Sequence, residues 1–286
     1  MNTQFWLIQA FNGISYGALL FLVGSGLSLI FGVMRIVNLS HGSYFLLGGY
    51  VALSVIWTTG SWALALPVAA LAIAAVGLLM ERIFLRPLGF DPLRQVLLTV
   101  GFAFLFQQAA LDIWTGNNFD INPPEALTRS IVIGGLYLPL YRVFMIAMAA
   151  AIGIALWLAM EKTRMGAAVR ATVDDAQMAR GVGIDTSRIS MFIFALGAFL
   201  AALGGVIGGA FLGIYPGLDF EMLPIAFAVV IIGGMGSLGG AAIGALIVGL
   251  ADNFGKALFP EVSYFTLYAP MALILAVKPT GLFGRE

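Results

Sequence analysis

Residues 36–80 read IVNLSHGSYFLLGGYVALSVIWTTGSWALALPVAALAIAAVGLLM, and these 45 residues contain no Asp, Glu, Lys or Arg. A helix needs about 20 predominantly apolar residues to cross a lipid bilayer, so this stretch is long enough for two crossings. Thr58-Thr59-Gly60-Ser61 supplies turn-forming residues between them. The stretch therefore predicts two transmembrane helices joined by a short turn.

The rest of the chain repeats this apolar pattern. Of the 286 residues, 61% are hydrophobic and only 10% are charged, whereas a soluble domain carries about 25% charged residues. Further stretches without charge fall at 1–34, 95–111, 143–160, 189–218, 222–251 and 262–277. The glycine-rich run at 233–240 interrupts one of them, which holds either two short helices or one crossing with a re-entrant segment. The sequence predicts an all-α polytopic bundle of eight or nine membrane segments, with residues 1–286 in a single domain.

Composition excludes several classes of function. Fourteen basic residues balance fourteen acidic ones, so there is no basic field to attract nucleic acid. The chain has no cysteine and one histidine, which argues against metal sites, disulfides and thiol chemistry. It has no phosphate-binding loop of the G-x-x-x-x-G-K-[ST] type. No cofactor and no catalytic residue are expected. The predicted membrane segments also lack acids or bases away from their ends, which argues against an ion-coupled carrier.

The distribution of Lys and Arg predicts the orientation. When loop 161–188 is placed in the cytoplasm, 11 of the 14 cations fall inside if segment 222–256 crosses twice. These cations are Arg35, Arg82, Arg86, Arg94, Lys162, Arg164, Arg170, Arg180, Arg188, Lys278 and Arg285. Only Arg129, Arg142 and Lys256 then lie outside. The N-terminus is therefore expected outside and the C-terminus inside.

Small residues recur at intervals of four along the predicted helices. Examples are Gly13/Gly17, Gly24/Ser28/Gly32, Gly204/Gly208, Gly205/Gly209/Gly213 and Gly236/Gly240/Gly244. Residues four apart share one helix face, and small residues there let helix backbones approach closely. Tight static packing and helices that slide during a transport cycle both fit this pattern.

The loop at 161–188 connects two predicted membrane helices and is predicted to contain a helix over 165–180. Gly181 and Gly183 end that helix, and Asp185 caps the next membrane helix. Val169, Val173 and Ala176 fall on one face, and Arg170, Asp174 and Gln177 on another. Such an amphipathic helix either lies on the membrane surface or docks into a groove on a partner protein.

Four blocks of the sequence carry a resemblance to a known family. They are Gly26-Leu-Ser-Leu-Ile-Phe-Gly32-Val-Met-Arg-Ile-Val-Asn38-Leu-Ser-His41-Gly42, the loop from Arg164 to Ile184, the run from Gly233 to Ala241, and Lys278-Pro-Thr-Gly-Leu-Phe-Gly-Arg285. Together they resemble the permeases of branched-chain amino-acid ABC importers, in particular the smaller of the two paired permease types. Where that family usually has an acid after the His-Gly pair, this chain has Ser43.

The resemblance implies a permease in the bacterial inner membrane that works in an assembly. A second permease subunit completes the pathway, two ABC ATPase subunits bind on the cytoplasmic side, and an external binding protein delivers the solute. Solutes of this family are branched-chain amino acids or related small polar molecules. The residues expected to contact the ATPase are Arg170, Asp174, Asp175, Gln177, Met178 and Gly183. Partner subunits, not this chain, would hydrolyse ATP.

Several polar residues are candidates for the pathway or a gate. Asn38 and His41 either bond the backbone of a broken helix and line a gate, or merely cap a helix and sit in the wet interface. Gln107 and Gln108 either face the pathway or bond between helices. Gly234, Gly236 and Ser237 lie in irregular backbone that is tolerated at membrane depth only when protein or a water cavity satisfies it.

Two other functions fit parts of the sequence. A stand-alone channel or facilitator would not need the helix in loop 161–188. An intramembrane hydrolase would need His41 and Ser237 to form a Ser–His pair. On the outer side, Asp219 and Glu221 either contact the binding protein or belong to a solvated loop, and the solvated loop is the expectation.

Overall fold

The structure, a computed structural model, describes residues 3–89 and 91–284. Its helices are α1 (Thr3–Met34), α2 (His41–Thr59), α3 (Trp62–Met80), α4 (Pro92–Trp114), α5 (Leu140–Lys162), α6 (Arg164–Asp174), α7 (Ala176–Gly181), α8 (Thr186–Leu212), α9 (Leu218–Gly233), α10 (Leu238–Leu258) and α11 (Ser263–Val277). One hairpin joins strands β1 (Ser130–Ile133) and β2 (Leu136–Pro139). Phe90 and the chain ends, including Arg285, lie outside the described residues.

Seven helices within the described residues are long and apolar enough to cross a membrane: α1, α3, α4, α5, α8, α10 and α11. The span of α3 includes a π-helical turn (Glu81–Leu85) and a 3₁₀ turn (Arg86–Leu88). Helix α11 has 15 residues and reaches the required length together with a 3₁₀ turn (Pro260–Val262). Helix α2 has 19 residues but is less apolar, and α9 has only 16 residues. The prediction of an all-α polytopic bundle is confirmed.

The turn predicted within residues 36–80 is confirmed. Helix α2 ends at Thr59, and Gly60 takes the left-handed backbone conformation, with φ of 69°. The Ser61 hydroxyl then accepts a hydrogen bond from the N–H of Leu64 at 3.3 Å and caps α3. Glycine adopts positive φ at little cost, and serine satisfies a helix N-terminus, so the sequence encodes this turn locally.

Helices α1 and α8 form the buried centre of the bundle and run antiparallel. Gly26 of α1 faces Gly197 of α8, and a Cβ added at Gly26 would lie 2.6 Å from the Gly197 carbonyl oxygen. Farther along, Val23 of α1 packs on Gly204 of α8. Only a backbone without a side chain fits at the Gly26–Gly197 crossing, although neither glycine is in the predicted spacing. The predicted pair Gly204 and Gly208 packs on Val23 and Leu19 of α1, so that pair does serve close helix packing.

Helix α10 packs along the other end of α1. Gly13 and Gly17 of α1 lie against Ala245, Gly249 and Leu250 of α10, and Cβ atoms added at the α1 glycines would meet the α10 backbone within 3.3 Å. By contrast, α4, α5 and α11 expose most of their outward surface, which includes large apolar side chains such as Leu97, Ile154 and Phe265. These outer helices are the ones available to lipid or to another membrane subunit.

The segment between α4 and α5 contains structure that the sequence did not predict. Strands β1 and β2 pair antiparallel, and Phe119 forms an isolated antiparallel bridge with Ile214, at the end of α8. This region defines one end of the bundle, here called the hairpin end. The opposite end carries α6 and α7 and is called the α6–α7 end.

The single helix predicted over 165–180 is wrong, because the segment forms two helices. Asp175 has extended backbone angles, φ −152° and ψ 103°, and separates α6 from α7. Its carboxylate accepts hydrogen bonds from the N–H groups of Gln177 at 2.8 Å and Met178 at 2.9 Å. Aspartate is a strong N-cap, so it starts a new helix here although the flanking residues are good helix formers.

Candidate functional site

Helix α6 is fixed to the bundle by its apolar face. The Thr163 hydroxyl caps it by accepting a hydrogen bond from the N–H of Gly166 at 3.0 Å. Val169 is buried in a cluster with Leu29 of α1 and Ile193 of α8. Arg35, directly after α1, donates a hydrogen bond to the Val173 carbonyl at 3.4 Å. Helix α6 therefore moves with the ends of α1, α5 and α8.

Among the residues expected to contact an ATPase, Arg170 points inward. Its guanidinium donates a hydrogen bond to the Met160 carbonyl of α5 and lies 3.7 Å from the Glu161 carboxylate. Arg170 thus holds α6 against α5. The backbone N–H groups of Met178 and, next, Gln177 lower the pKa of the Asp175 carboxyl below its usual value, because they stabilise its charged form.

The remaining residues of this group lie on the outer surface of the α6–α7 end. Asp174, Gln177 and Gly183 are exposed, and Met178 is 65% exposed. Val182, which follows α7, is 70% exposed and was not identified from the sequence. The only feature of the sequence that points to Val182 is an apolar residue between two glycines, Gly181 and Gly183. Met178 and Val182 are four residues apart, and together they form an exposed apolar pair here called the α7 knob.

A cluster of polar side chains is buried where α2 begins. Asn38 Oδ1 accepts hydrogen bonds from the backbone N–H of Ser40 at 3.1 Å and from its hydroxyl at 2.7 Å. His41 Nε2 lies 3.0 Å from the Val23 carbonyl oxygen of α1, so this nitrogen carries the proton and donates. Both side chains are fully buried. The interpretation of His41 as a residue of the wet interface is wrong.

Asp219 extends this cluster and corrects one expectation. Its carboxylate accepts a hydrogen bond from the Ser43 hydroxyl at 3.1 Å, and the residue is only 2% exposed. It therefore does not belong to a solvated loop. Two other acids, Glu81 directly after α3 and Asp252 toward the end of α10, are also buried. Asp252 pairs with Lys256 at 2.7 Å, whereas Asp219 forms no ion pair within the described residues.

The residue at position 43 is one reason why the pairing of Ser43 with Asp219 could not be predicted from the sequence. The resemblance drawn from sequence implies an acid at position 43, where this chain has a serine, and the carboxylate of Asp219 lies against that serine from α9. Tyr50, two turns farther along α2, is also buried, and its hydroxyl makes no hydrogen bond in the described part of the chain. The acid at this spot thus comes from a residue 176 positions away in sequence.

The glycine-rich break between α9 and α10 is covered by protein. Gly234 and Gly236 have φ of 98° and 81°, which strongly favours glycine. The backbone N–H groups of Leu282 and Phe283 donate to the carbonyls of Ile232 and Gly233 at 2.9 and 3.0 Å. The C-terminal block therefore satisfies the irregular backbone, and this partnership between two sequence blocks was not predicted.

Ser237 and His41 do not come together. The Ser237 hydroxyl caps α10 by accepting a hydrogen bond from the N–H of Gly240 at 3.0 Å, and His41 is bonded to Val23. The Ser–His pair of the hydrolase hypothesis is therefore absent from the described residues.

The two glutamines of α4 differ from each other in environment. Gln108 is exposed and donates to Asp112 Oδ1 of its own helix at 3.0 Å, so its predicted bond between helices is wrong. Gln107 is partly buried. Within the described residues, neither side chain hydrogen-bonds to the buried cluster at the start of α2.

Comparison with known proteins agrees with this architecture. Residues 9–275 match the family model described as "Branched-chain amino acid transport system / permease component". The chain is 32% identical to the high-affinity branched-chain amino acid transport system permease protein LivH of Escherichia coli K12, in an alignment covering 100% of this chain and 98% of that protein. No solved structure matches.

Two further relatives carry similar names. The permease protein BraD of Pseudomonas aeruginosa is 28% identical, with 98% of this chain and 96% of BraD covered. The permease protein LivM of Salmonella typhimurium is 26% identical, with 91% of this chain and 67% of LivM covered. The helix bundle and these similarities define a multi-pass membrane protein of the transport permease class. Within that class, the chain belongs to the branched-chain amino-acid ABC transporter permease family.

Proposed function

We propose that this chain is the permease subunit of an ABC importer that carries branched-chain amino acids or related small polar solutes across the bacterial inner membrane. The single observation that best supports the coupling role is the α6–α7 segment. Its inner face is anchored to α1, α5 and α8, and its outer face presents the α7 knob. An anchored segment with an exposed apolar projection suits docking into a groove of a partner ATPase.

The segment links a partner to the core of the bundle. A force applied at Met178 passes through α7 and Asp175 to α6, which is held to α5 by Arg170 and to α1 by Arg35. The glycine contacts of α1 with α8 and α10 then transmit the displacement, because closely packed backbones move together. Nucleotide binding by the ATPases would shift the bundle between two states through its different affinity for each.

Nine crossings satisfy the charge distribution if α2 and α9 also lie in the membrane. The chain then passes from outside at its N-terminus to the cytoplasm at its C-terminus, and α6 and α7 are cytoplasmic. Helix α2 is buried along most of its length by α8 and α9, so it needs less apolar character than a helix facing lipid. Its polar start is shielded by protein.

A second permease and an external binding protein complete the proposed assembly. The exposed apolar faces of α4, α5 and α11 are surfaces on which a second subunit or lipid packs. LivM, a permease protein similar to this chain, illustrates the kind of subunit expected. The binding protein would deliver solute at the hairpin end.

We place the pathway beside the buried polar cluster at the start of α2. Asn38, His41 and Asp219 are polar groups inside an otherwise apolar bundle, and such groups in membrane proteins usually serve a functional path. Gly234, Gly236 and Ser237 are proposed to shape the neighbouring backbone, since Gly236 touches Gly32 of α1. Gln107 and Gln108 have weaker support, because neither side chain hydrogen-bonds to this cluster within the described residues.

Affinity purification from the native membrane tests the assembly. We expect the tagged chain to bring with it a second permease and ATPase subunits. The Met178→Asp variant should reach the membrane and retain the second permease but lose the ATPases. Recovery of the wild-type chain without any ATPase, after mild crosslinking in the membrane, would contradict the proposal and favour a stand-alone channel.

A further inference from the structure

A cavity of about 300 Å³ opens at the α6–α7 end, between the membrane helices and the coupling segment. The end of α3, the start of α4, α7 and the start of α8 form its walls. The polar side chains around it include those of Glu81, Gln95, Thr172, Arg180, Ser187 and Ser190. Its volume is at the lower end of the range of about 300–1,000 Å³ that is typical of small-molecule sites.

Glu81 lines the cavity and is almost completely buried. The residue is 2% exposed, and its Oε2 atom accepts no hydrogen bond within the described residues. Arg86 lines the same cavity and acts on Glu81 electrostatically, yet no cation in the described chain lies within ion-pair distance of Glu81. Burying a carboxylate without a counter-ion is costly. A cationic group in the cavity would compensate for this cost.

The opposite wall carries several donors suited to an anion beside one carboxylate, that of Asp185. Asp185 accepts a hydrogen bond from the N–H of Arg188 at 3.1 Å, and its charge is paired with the Arg188 guanidinium at 2.9 Å. This wall is built by the first turn of the 27-residue helix α8, whose N-terminus carries a partial positive charge. Arg180 lies at this wall and donates from Nε to the Thr186 hydroxyl at 2.8 Å. The hydroxyls of Ser187 and Ser190 also border the cavity. Carboxylates bind readily where backbone N–H groups, hydroxyls and a guanidinium converge.

The cavity lies next to the buried polar cluster at the start of α2. Met80 precedes Glu81 in the chain, and its sulfur lies 2.8 Å from the Tyr44 hydroxyl and 3.7 Å from the Ser40 hydroxyl. Gln95 of the cavity is one helical turn from Thr99, which accepts a hydrogen bond from the N–H of Leu39 at 3.2 Å. The two polar regions therefore follow each other from the interior toward the α6–α7 end.

We propose that this cavity binds a small zwitterionic solute, an α-amino acid, with its ammonium group on Glu81 and its carboxylate at the start of α8. The proposal rests on the proposed transport function and adds a solute site on the side of the coupling segment. Because α7 and α8 both border the cavity, a bound amino acid braces the coupling segment against the bundle. Solute accumulated on this side then slows the transport cycle.

Equilibrium binding of radiolabelled L-leucine to the purified permease complex in lipid nanodiscs tests the site, without binding protein or nucleotide. We expect saturable binding at concentrations up to the millimolar range. Glu81→Gln keeps the shape of the side chain and removes its charge, and it should weaken leucine binding about tenfold or more. Glu261→Gln makes the same change at an exposed residue of the hairpin end and should leave binding unchanged.

Competition by two analogues, each of which carries only one of the two charged groups of leucine, tests the two walls of the cavity separately. Isoamylamine has the ammonium group and isocaproate has the carboxylate, and each should displace leucine more weakly than leucine itself. Glu81→Gln should abolish displacement by isoamylamine but not by isocaproate. In vesicles with the α6–α7 end outward, added leucine should lower the ATPase rate of the wild type and lower it less in Glu81→Gln, each relative to its own uninhibited rate.

Three results would overturn the proposal while leaving the transport function intact. They are no leucine binding by a complex that transports, equal binding in wild type and Glu81→Gln, and leucine binding that is lost in Asp219→Asn but kept in Glu81→Gln. If Glu81→Gln does not reach the membrane, competition in the wild type decides, and failure of isoamylamine to displace leucine overturns the assignment of the ammonium to Glu81. Failure of the proposed transport function would be seen in a different experiment, the affinity purification, in which the tagged chain would then bring no ATPase subunit with it.

Discussion

The contact between α1 and α8 and the segment α6–α7 differ in how they are stabilised. At the α1–α8 crossing, Gly26 and Gly197 leave no room for a side chain, and the helices touch through their backbones. In α6–α7, one buried apolar face and a few polar bonds from Arg35, Asp175 and Arg170 hold short helices whose outer face is open. The first arrangement resists any enlargement, and the second leaves a surface for a partner. We therefore expect substitutions at the α1–α8 crossing to change folding stability and substitutions on the outer face of α6–α7 to change partner binding.

The largest effect is expected from filling the α1–α8 crossing. In Gly26→Ala the new methyl would lie 2.6 Å from the Gly197 carbonyl oxygen, and backbone must shift to admit it. Overpacking of this kind costs about 1–3 kcal/mol. The thermal midpoint of the purified protein should fall. Gly101→Ala, where nothing lies within 4 Å of the added Cβ, is the matched control and should be neutral or stabilising. Equal midpoints for the two variants would remove the special role of this crossing.

The next effect concerns the α7 knob and should change coupling but not folding. Met178→Asp places a charge on a side chain that is 65% exposed, so the thermal midpoint should stay the same. If the knob is a central contact, its loss costs about 2 kcal/mol or more of binding, and ATPase association should weaken at least tenfold. Val132→Asp makes the same kind of change at the exposed hairpin and should bind the ATPases normally. A Met178→Asp complex with full affinity would place the coupling surface elsewhere.

A third effect should separate stability from transport at the buried cluster. Asp219→Asn keeps an acceptor for the Ser43 hydroxyl and removes a buried charge that has no ion-pair partner in the described chain. We expect unchanged or higher thermal stability together with a loss of transport of about tenfold, since buried charges in membrane segments are costly and usually functional. Solute uptake and thermal unfolding, measured on the same preparation, check this. Normal uptake by Asp219→Asn would assign Asp219 a purely structural role.

The smallest effect is expected at the cap between α6 and α7. Asp175→Ala removes both hydrogen bonds to the start of α7 and should reduce the stimulation of ATPase activity by solute, whereas Asp175→Asn should retain most of it. Because the folded-state pKa of Asp175 is lowered, its cap is present above the usual pKa of an aspartate and is lost as the pH falls through the lowered pKa. Coupling in the wild type should therefore weaken only in acid. An identical pH profile in Asp175→Ala would contradict the capping role.

The sequence was informative where a property is local. The turn at Gly60 and Ser61, the cap formed by Asp185 and the small-residue spacing of α1 all follow from nearby residues, and each has the structural role that such residues favour. The break at Asp175 is local as well, but helix propensity on both sides concealed it.

Contacts between distant segments could not be predicted in this way. Asp219 lies in a short segment after a Tyr-Pro-Gly turn, which is typical of a solvated loop, and only the fold brings it to Ser43. Likewise, the C-terminal residues Leu282 and Phe283 give no sign in sequence that they cover the Gly233–Gly240 break. The burial of His41 could not be predicted either, because its hydrogen-bond partner is the Val23 carbonyl of another helix, α1.

Solute uptake into sealed vesicles tests the central claim most directly, namely that partner subunits drive this bundle through its α6–α7 segment. The chain is reconstituted alone and, in parallel, with its second permease, ATPases and binding protein, and accumulation of labelled leucine is followed with and without ATP. We predict accumulation against a gradient only for the complete assembly with ATP, and its loss in Met178→Asp. Accumulation by the chain alone, or undiminished accumulation by the Met178→Asp assembly, would contradict the account.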